Sequence, residues 1–284
     1  MRLAQDGLPA RVSGSWTQDK LGYVERYASA FMRAMAPKRE EGKWDQLIYI
    51  DPLDGPGMGV DRETGAEFEG SPLRALRVQP AFDHLFFGDL NAKYVEALKR
   101  RIAPSDLPRV TVRVGDCHAV TREAVGRLSR KALGLAFVDP QGFEVTLKLF
   151  ETLATRPIDI LFLFPGGIGV KRNLAKFARK RGGPLDALMG GDQWRALLHV
   201  KLVAGDPLSA DDLASRDQPI IMQFRQKMAA LGFLYSDQGE PYFTNEKNVK
   251  MYHLLFFSQH RAGLSIWRGI TRIEPSGQRT LPLD

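Results

Sequence analysis

The stretch QLIYIDPLDGPG, residues 46–57, is the part of the chain that decides the fold. It begins with a short, β-favouring apolar run, which predicts a buried strand over 46–50. The chain then turns at an acid and continues through glycines. Glycine lets backbone N–H groups approach a ligand, and a carboxylate accepts hydrogen bonds from ammonium or hydroxyl groups. Asp51, Gly55 and Gly57 are therefore candidate ligand-binding residues, with an ordinary strand-to-loop turn as the alternative.

The alternation of strand and helix continues outward from this stretch. Periodicity predicts further strands over 84–87, 110–114, 134–138 and 158–164, and helices over 18–35, 94–101, 121–131 and 145–154. Five strands alternating with helices predict an α/β fold whose central sheet is mostly parallel, with helices on both faces. In such sheets ligands bind beyond the carboxyl ends of the strands.

The domain organisation follows from where this alternation of strands and helices begins and ends. We expect an N-terminal extension over 1–17, a core over 18–169, and a basic helical insertion over 170–217. The C-terminal part of the core, 218–272, is predicted to contain a helix over 220–230, an antiparallel hairpin from 232–235 and 252–257, and a closing helix over 264–270. Residues 273–284 are expected to form a disordered tail.

Composition narrows the class of protein. The 284 residues carry a formal net charge of +7, which favours polyanionic partners such as nucleic acid, although many basic proteins bind none. The single cysteine, Cys117, excludes an internal disulfide and a cysteine-clustered zinc site. No apolar run approaches the roughly 20 residues that span a membrane, and Met1–Arg11 lacks a signal-peptide stretch. A cytoplasmic location is therefore expected.

The densest basic cluster lies in the predicted insertion. Lysine and arginine at this density suit phosphate contacts. A solvated helix face is the alternative, since no aromatic residue interleaves to stack bases. The cluster comprises Lys171, Arg172, Lys176, Arg179, Lys180 and Arg181.

Two further acids end predicted strands. Asp116 follows the third strand, where it can accept a hydrogen bond from an adenine amino group or cap the following helix. Asp139 follows the fourth strand and can accept a proton or hold an exocyclic amine, while Phe143 can stack on a flat substrate. Residues 139–143 are similar to the D-P-P-Y tetrad of amino-methyltransferases, but the second proline is missing and a glycine precedes the aromatic. A turn with a core phenylalanine is the alternative.

Taken in order along the chain, several segments resemble one known family, the three-Cys-motif partner proteins. The resemblance covers 16–272. The matching segments are Lys20–Leu21, Tyr27, Tyr49–Asp51, Gly55–Gly57, Gly70–Leu73, Gly115–Asp116, Phe137–Pro140, Gly142–Phe143, Trp194–Arg195, Tyr252–Phe256, His260 and Gly263.

This resemblance implies a Rossmann-like class I methyltransferase fold that binds S-adenosylmethionine and works beside a three-Cys-motif protein. It implies cofactor binding by Asp51, Gly55, Gly57, Asp89 and Asp116. Two departures bear on that expectation. Pro52 and Asp54 replace a glycine and an alanine of the family's loop, so Asp54 places a second negative charge near the methionine carboxylate. Gly88 stands where the family carries its ribose-binding acid, so Asp89 is the candidate substitute, with a helix cap or a solvent-facing position as the alternative.

The leading hypothesis is a methyltransferase acting on nitrogen or oxygen, with nucleic acid as a candidate substrate. Asp139 and Phe143 would hold the acceptor, and Lys20 would assist. The alternative is a catalytically inactive binding or accessory protein, which the altered loop and Gly88 favour. A third hypothesis is unrelated chemistry on the same scaffold.

Overall fold

We describe the protein from a computed structural model, which covers residues 2–166, 176–177, 180–197, 217–244 and 250–272. Its strands are β1 (Arg2–Leu3), β2 (Pro9–Ser13), β3 (Gln46–Asp51), β4 (Met58–Asp61), β5 (Glu67–Glu69), β6 (His84–Asp89), β7 (Val110–Val114), β8 (Ala132–Val138), β9 (Ile158–Phe164), β10 (Tyr235–Ser236), β11 (Tyr242–Thr244) and β12 (Lys250–Ser258). Its helices are α1 (Trp16–Glu40), α2 (Ser71–Leu76), α3 (Ala92–Arg101), α4 (Cys117–Gly126), α5 (Leu147–Leu153), α6 (Pro184–Met189), α7 (Asp217–Ala230) and α8 (Arg261–Thr271).

The strands form two sheets. An eight-stranded sheet has the order β10-β12-β9-β8-β3-β6-β7, with β11 also paired to β12. The five strands expected from the sequence are parallel neighbours in it, and β12 runs antiparallel to β9. A second sheet has the order β1-β2-β4-β5. It joins the N-terminal residues to the segment that follows the 51–57 loop.

The prediction of a Rossmann-like class I methyltransferase fold with a mostly parallel central sheet is wrong. The ten strand pairings of the described residues divide into five parallel and five antiparallel. The antiparallel ones come from the strands around β12 and from the second sheet. The fold is mixed α/β. The second sheet escaped prediction because its strands have only two to five residues, too few for a periodic signal.

The core lies on both faces of the larger sheet because successive side chains of a strand point to opposite faces. In β3, Ile48 and Ile50 pack into one apolar cluster with α4, α5, α6 and α7. Leu47 and Tyr49 pack into the other cluster, with α1, α2, α3 and α8. Burial on both faces explains the continuous apolar run at 47–50.

The predicted boundaries outside the sheet have mixed outcomes. Residues 1–17, expected to be an extension, contribute β1 and β2 and the start of α1. The helix expected over 264–270 is confirmed as part of α8. Most of the expected insertion at 170–217, and the tail at 273–284, lie outside the described residues. No helix in the part of the chain that the structure describes is long and apolar enough to cross a bilayer.

Gly88 is a packing position. It lies in β6 under α4, and a Cβ built on it would sit 2.6 Å from Val120 Cγ2 and 2.7 Å from Val120 Cγ1. Val120 is β-branched and buried, so it has little freedom to move aside. A glutamate at position 88 therefore has no room, and the residue is glycine because the helix packs closely on the strand.

We expect Gly88→Ala to destabilise the fold by about 1–3 kcal/mol, the range for overpacking a dense core. The Val120→Ala background removes both clashing methyl groups, so the same glycine substitution should cost much less there. Urea unfolding of the four proteins measures the coupling. Gly22→Ala, at a helical glycine with open space around it, is the control. A Gly88→Ala protein as stable as the wild type would contradict this packing account.

Candidate functional site

Three buried carboxyl groups meet at the carboxyl ends of two neighbouring strands. Asp51 is the last residue of β3, Asp54 lies in the loop that follows, and Asp89 is the last residue of β6. All three are buried. They are grouped because β3 and β6 are parallel and in register, so their carboxyl ends fall at the same sheet edge. We call these three residues the acidic cluster.

The loop over 51–57 is held in place by the start of α2. Gly55 and Gly57 have φ angles of +67° and +82°, a region that favours glycine. The Gly70 N–H donates to the Gly57 carbonyl at 2.8 Å, and Ser71 Oγ donates to Asp51 Oδ2 at 2.5 Å. The Gly70–Leu73 segment therefore fixes both the loop backbone and the orientation of the strand-end acid.

Asp54 has no hydrogen-bonding partner for either carboxyl oxygen among the described residues, although both atoms are buried. Burial raises the pKa of Asp54 well above its usual range, and the nearby Asp51 and Asp89 raise it further. Burial also raises the pKa of Asp51 to about 7, against the lowering effect of the Ser71 hydroxyl. A buried polar group without a partner costs free energy, so Asp54 is suited to receive a ligand.

Arg11 is the cation that reaches the acidic cluster. Its Nη2 lies 3.8 Å from Asp89 Oδ2, and its charge opposes the rise in the pKa of Asp54. Its guanidinium also contacts the loop, since a Cβ on Gly55 would lie 3.4 Å from Arg11 Cζ. With the Gln141 amide oriented to satisfy its hydrogen bonds, its oxygen accepts from Arg11 Nε at 3.1 Å.

The segment that carries Arg11 is fastened to the same loop. Arg101 Nη1 donates to the Pro9 carbonyl at 2.8 Å and to the Pro56 carbonyl at 2.6 Å. Arg101 also forms an ion pair with Asp6 at 2.7 Å. β2 additionally pairs in parallel with β4, directly after the loop. The N-terminal residues and the 51–57 loop therefore form one unit around the acids.

A cleft of about 720 Å³ opens beside the acidic cluster. Asp54 and Gly57 line one side of it, and Lys20 and Asp139 line another. Lys20 Nζ donates to Asp139 Oδ2 at 2.5 Å, and the lysine is almost fully buried. Of the residues predicted to bind a cofactor, only Gly57 lines the cleft, together with Lys20 and Asp139, which were predicted to act on the acceptor.

Two predicted site residues lie away from the cleft. Asp116 caps α4, accepting from the His118 and Ala119 N–H groups at 3.0 and 3.2 Å, as in the cap alternative. Phe143 packs edge-to-face on Phe177, 5.0 Å between ring centroids, so it is the core phenylalanine of the turn alternative. Neither residue lines the cleft.

Asp89 neither caps a helix nor faces solvent. It accepts a hydrogen bond from the Asn91 N–H at 2.7 Å, while α3 is capped by Asn91 itself. Its side chain lies beside Arg11 in the acidic cluster. Asp89 therefore ends β6, the second of the five predicted strands, with its carboxyl group in the acidic cluster.

Half of the predicted phosphate-binding cluster falls outside the described residues, namely Lys171, Arg172 and Arg179. Lys176, Lys180 and Arg181 are described, and all three are exposed. Their phosphate contacts stay a prediction.

Sequence reasoning missed four residues of the site. Arg11 carried no signal, because it lies in a segment with no recognisable strand pattern. Asp54 was identified only as a departure from a family loop. Trp16 and Tyr252 line the cleft together from opposite ends of the chain. Among the described residues, no three histidine, cysteine, aspartate or glutamate side chains are grouped so as to hold a metal ion.

Comparison with known proteins leaves the family open. No family model and no curated protein matches the chain. A solved structure from Legionella pneumophila str. Philadelphia 1, assigned to the family model DUF519, is 12% identical over 92% of this chain and 95% of its own, with a TM-score of 0.47. EvdMO1 is 11% identical over 81% of this chain and 41% of its own, with a TM-score of 0.37.

Likenesses this weak carry no argument about what the chain does. The resemblance to three-Cys-motif partner proteins therefore stays a prediction, and function is inferred from the chemistry of the site.

Replacing Arg11 tests the charge balance of the acidic cluster. Arg11→Met removes the cation that opposes the rise in the pKa of Asp54, so the folded-state pKa of Asp54 should rise further. An acid whose pKa is raised in the folded state favours that state at low pH. This stabilisation is lost as the pH rises. We expect a loss of about 1–3 kcal/mol at pH 8 and a smaller loss at pH 5, measured by urea unfolding.

Arg62→Met is the matched control, because Arg62 lines the same cleft but forms no ion pair with a described residue. Equal losses for Arg11→Met at the two pH values would show that Arg11 does not balance these acids.

Proposed function

We propose that this protein binds S-adenosylmethionine at the acidic cluster and transfers a methyl group to a nitrogen or oxygen atom held beside Asp139. The observation that carries the proposal is Asp54, whose two buried carboxyl oxygens lack a partner among the described residues. A ligand that brings positive charge or hydrogen-bond donors stabilises such a group. S-adenosylmethionine carries an ammonium group, a sulfonium and ribose hydroxyls.

The residues present are compatible with this ligand. The cleft of about 720 Å³ is within the usual range of small-molecule sites. The raised pKa of Asp54 favours its neutral form. A neutral Asp54 avoids an unpaired buried charge in the free protein, and a ligand cation placed beside it favours the ionised form. The departure at position 54 is therefore consistent with cofactor binding.

Each of the remaining residues has a role in the proposal. When bound, S-adenosylmethionine would supply an electrophilic methyl group on a positively charged sulfur. Asp139 would accept a hydrogen bond from the acceptor and take up the proton that the acceptor loses. Buried Lys20 fixes the direction of Asp139 through their 2.5 Å contact. Catalysis would come mainly from holding the acceptor in line, as for other positioned reactants.

A second candidate is a binding or accessory protein without transfer activity, working with a three-Cys-motif partner. Arg11 favours this candidate, because it already supplies positive charge to Asp89 at 3.8 Å. A ligand that uses both Asp54 and Asp89 has to share the site with that guanidinium. The two candidates differ in whether the cofactor binds at all.

Calorimetric titration with S-adenosylmethionine tests the proposal. We expect Asp54→Asn to weaken binding at least tenfold, a change of about 1.4 kcal/mol, because the amide cannot ionise toward a cation. Asp19→Asn is the control, since Asp19 lines the same cleft but is exposed. Absence of binding by the wild-type protein would favour the binding-protein candidate, and equal affinities of the two variants would show that Asp54 does not hold the cofactor.

A further inference from the structure

Aromatic side chains form one wall of the cleft. Trp16, at the start of α1, stacks on Tyr252 of β12 with ring centroids 4.9 Å apart and planes 25° apart. Phe243 supports Trp16 from behind at 6.0 Å. Trp16 and Tyr252 are both half-buried, so part of each ring remains available at the cleft. Such a platform suits a flat ligand, since stacking on an aromatic side chain contributes about 1–3 kcal/mol per base.

A hydrogen-bonding pair lies directly beside this platform. Lys20 Nζ lies 5.2 Å from the centroid of the Trp16 ring and bonds Asp139 Oδ2. Asp139 Oδ1 has no hydrogen bond from any residue in the described ranges. It can accept from an N–H group, and the lysine ammonium has further protons to donate. An acceptor next to a donor matches a heterocycle edge that carries an amino group beside a ring nitrogen.

Two arginines line the cleft, and a lysine lies against one of its lining tyrosines. Arg62 is exposed and lines the cleft, and Arg11 lines it from β2. Lys250 Nζ lies 4.2 Å from the ring of Tyr242, which also lines the cleft. With the net charge of +7, these groups favour a heterocycle that is attached to phosphate. A neutral aromatic ligand would make no use of them.

We propose that the cleft binds a nucleobase with an exocyclic amino group, stacked on the face of Tyr252 that Trp16 leaves free, with its amino edge toward Asp139. The role of this base as the methyl acceptor rests on the proposed function. The binding of the base does not. The base comes either from a free nucleotide or from a single strand. A base in a duplex would first have to be flipped out of the stack, because its amino edge is paired and its faces are stacked.

Binding is tested by calorimetry without S-adenosylmethionine, using adenosine, cytidine and uridine monophosphates and five-residue single strands of the same bases. We expect the adenine and cytosine ligands to bind more tightly than uracil. Tyr252→Leu should weaken binding about tenfold, while Tyr252→Phe keeps the ring and should retain it. Asp139→Asn should reduce the preference for amino-bearing bases. Tyr94→Leu is the control, because Tyr94 is half-buried but lies away from the cleft.

The outcomes separate this inference from the proposed function. Tighter binding of strands, weakened by salt, identifies nucleic acid as the source, and equal binding identifies the free nucleotide. Both support the inference. No binding of any probe, or equal effects of Tyr252→Leu and Tyr94→Leu, overturns it. A parallel titration with S-adenosylhomocysteine reports on the cofactor site, so either proposal can fail while the other stands.

Discussion

The burial of Asp51, Asp54 and Asp89 at one edge of the larger sheet is the constraint on which the rest of the site depends. Carboxylates removed from water are costly unless they are protonated, paired or hydrogen-bonded. The three carboxyl groups differ in their partners. Asp51 accepts from Ser71, Asp89 lies beside Arg11, and Asp54 has no partner among the described residues. The one acid left without a partner is the one that lines the cleft.

The second sheet makes this arrangement stable. β2 and β4 pair on either side of the 51–57 loop in sequence, so the N-terminal segment and the loop are held together. Arg101 reinforces this by bonding carbonyls of both Pro9 and Pro56. A short additional sheet at the strand ends thus places a cation in the acidic cluster. These few contacts link the folding of the N-terminal segment to the charge balance of the acidic cluster.

The larger sheet was predictable because its strands carry long apolar runs buried on both faces, as residues 47–50 illustrate. The site was predictable in part. Asp51, Asp139 and the glycines are found at strand ends, which the alternation of elements locates. Arg11, Trp16 and Tyr252 were not predictable, since their proximity arises from tertiary pairing of distant segments. Phe143 was assigned to the ligand because a motif cannot show which face of a turn an aromatic side chain takes.

The protonation state of Asp54 tests the central claim most directly. Carboxyl-labelled aspartate allows its pKa to be followed by ¹³C NMR, and Asp54→Asn assigns the resonance. The account predicts that Asp54 of the free protein titrates well above the usual range of an aspartate, because burial raises its pKa. Adding S-adenosylmethionine should then shift the resonance toward the ionised form, since a cation favours the carboxylate. An Asp54 that titrates near pH 4 and does not respond to the ligand would contradict the account.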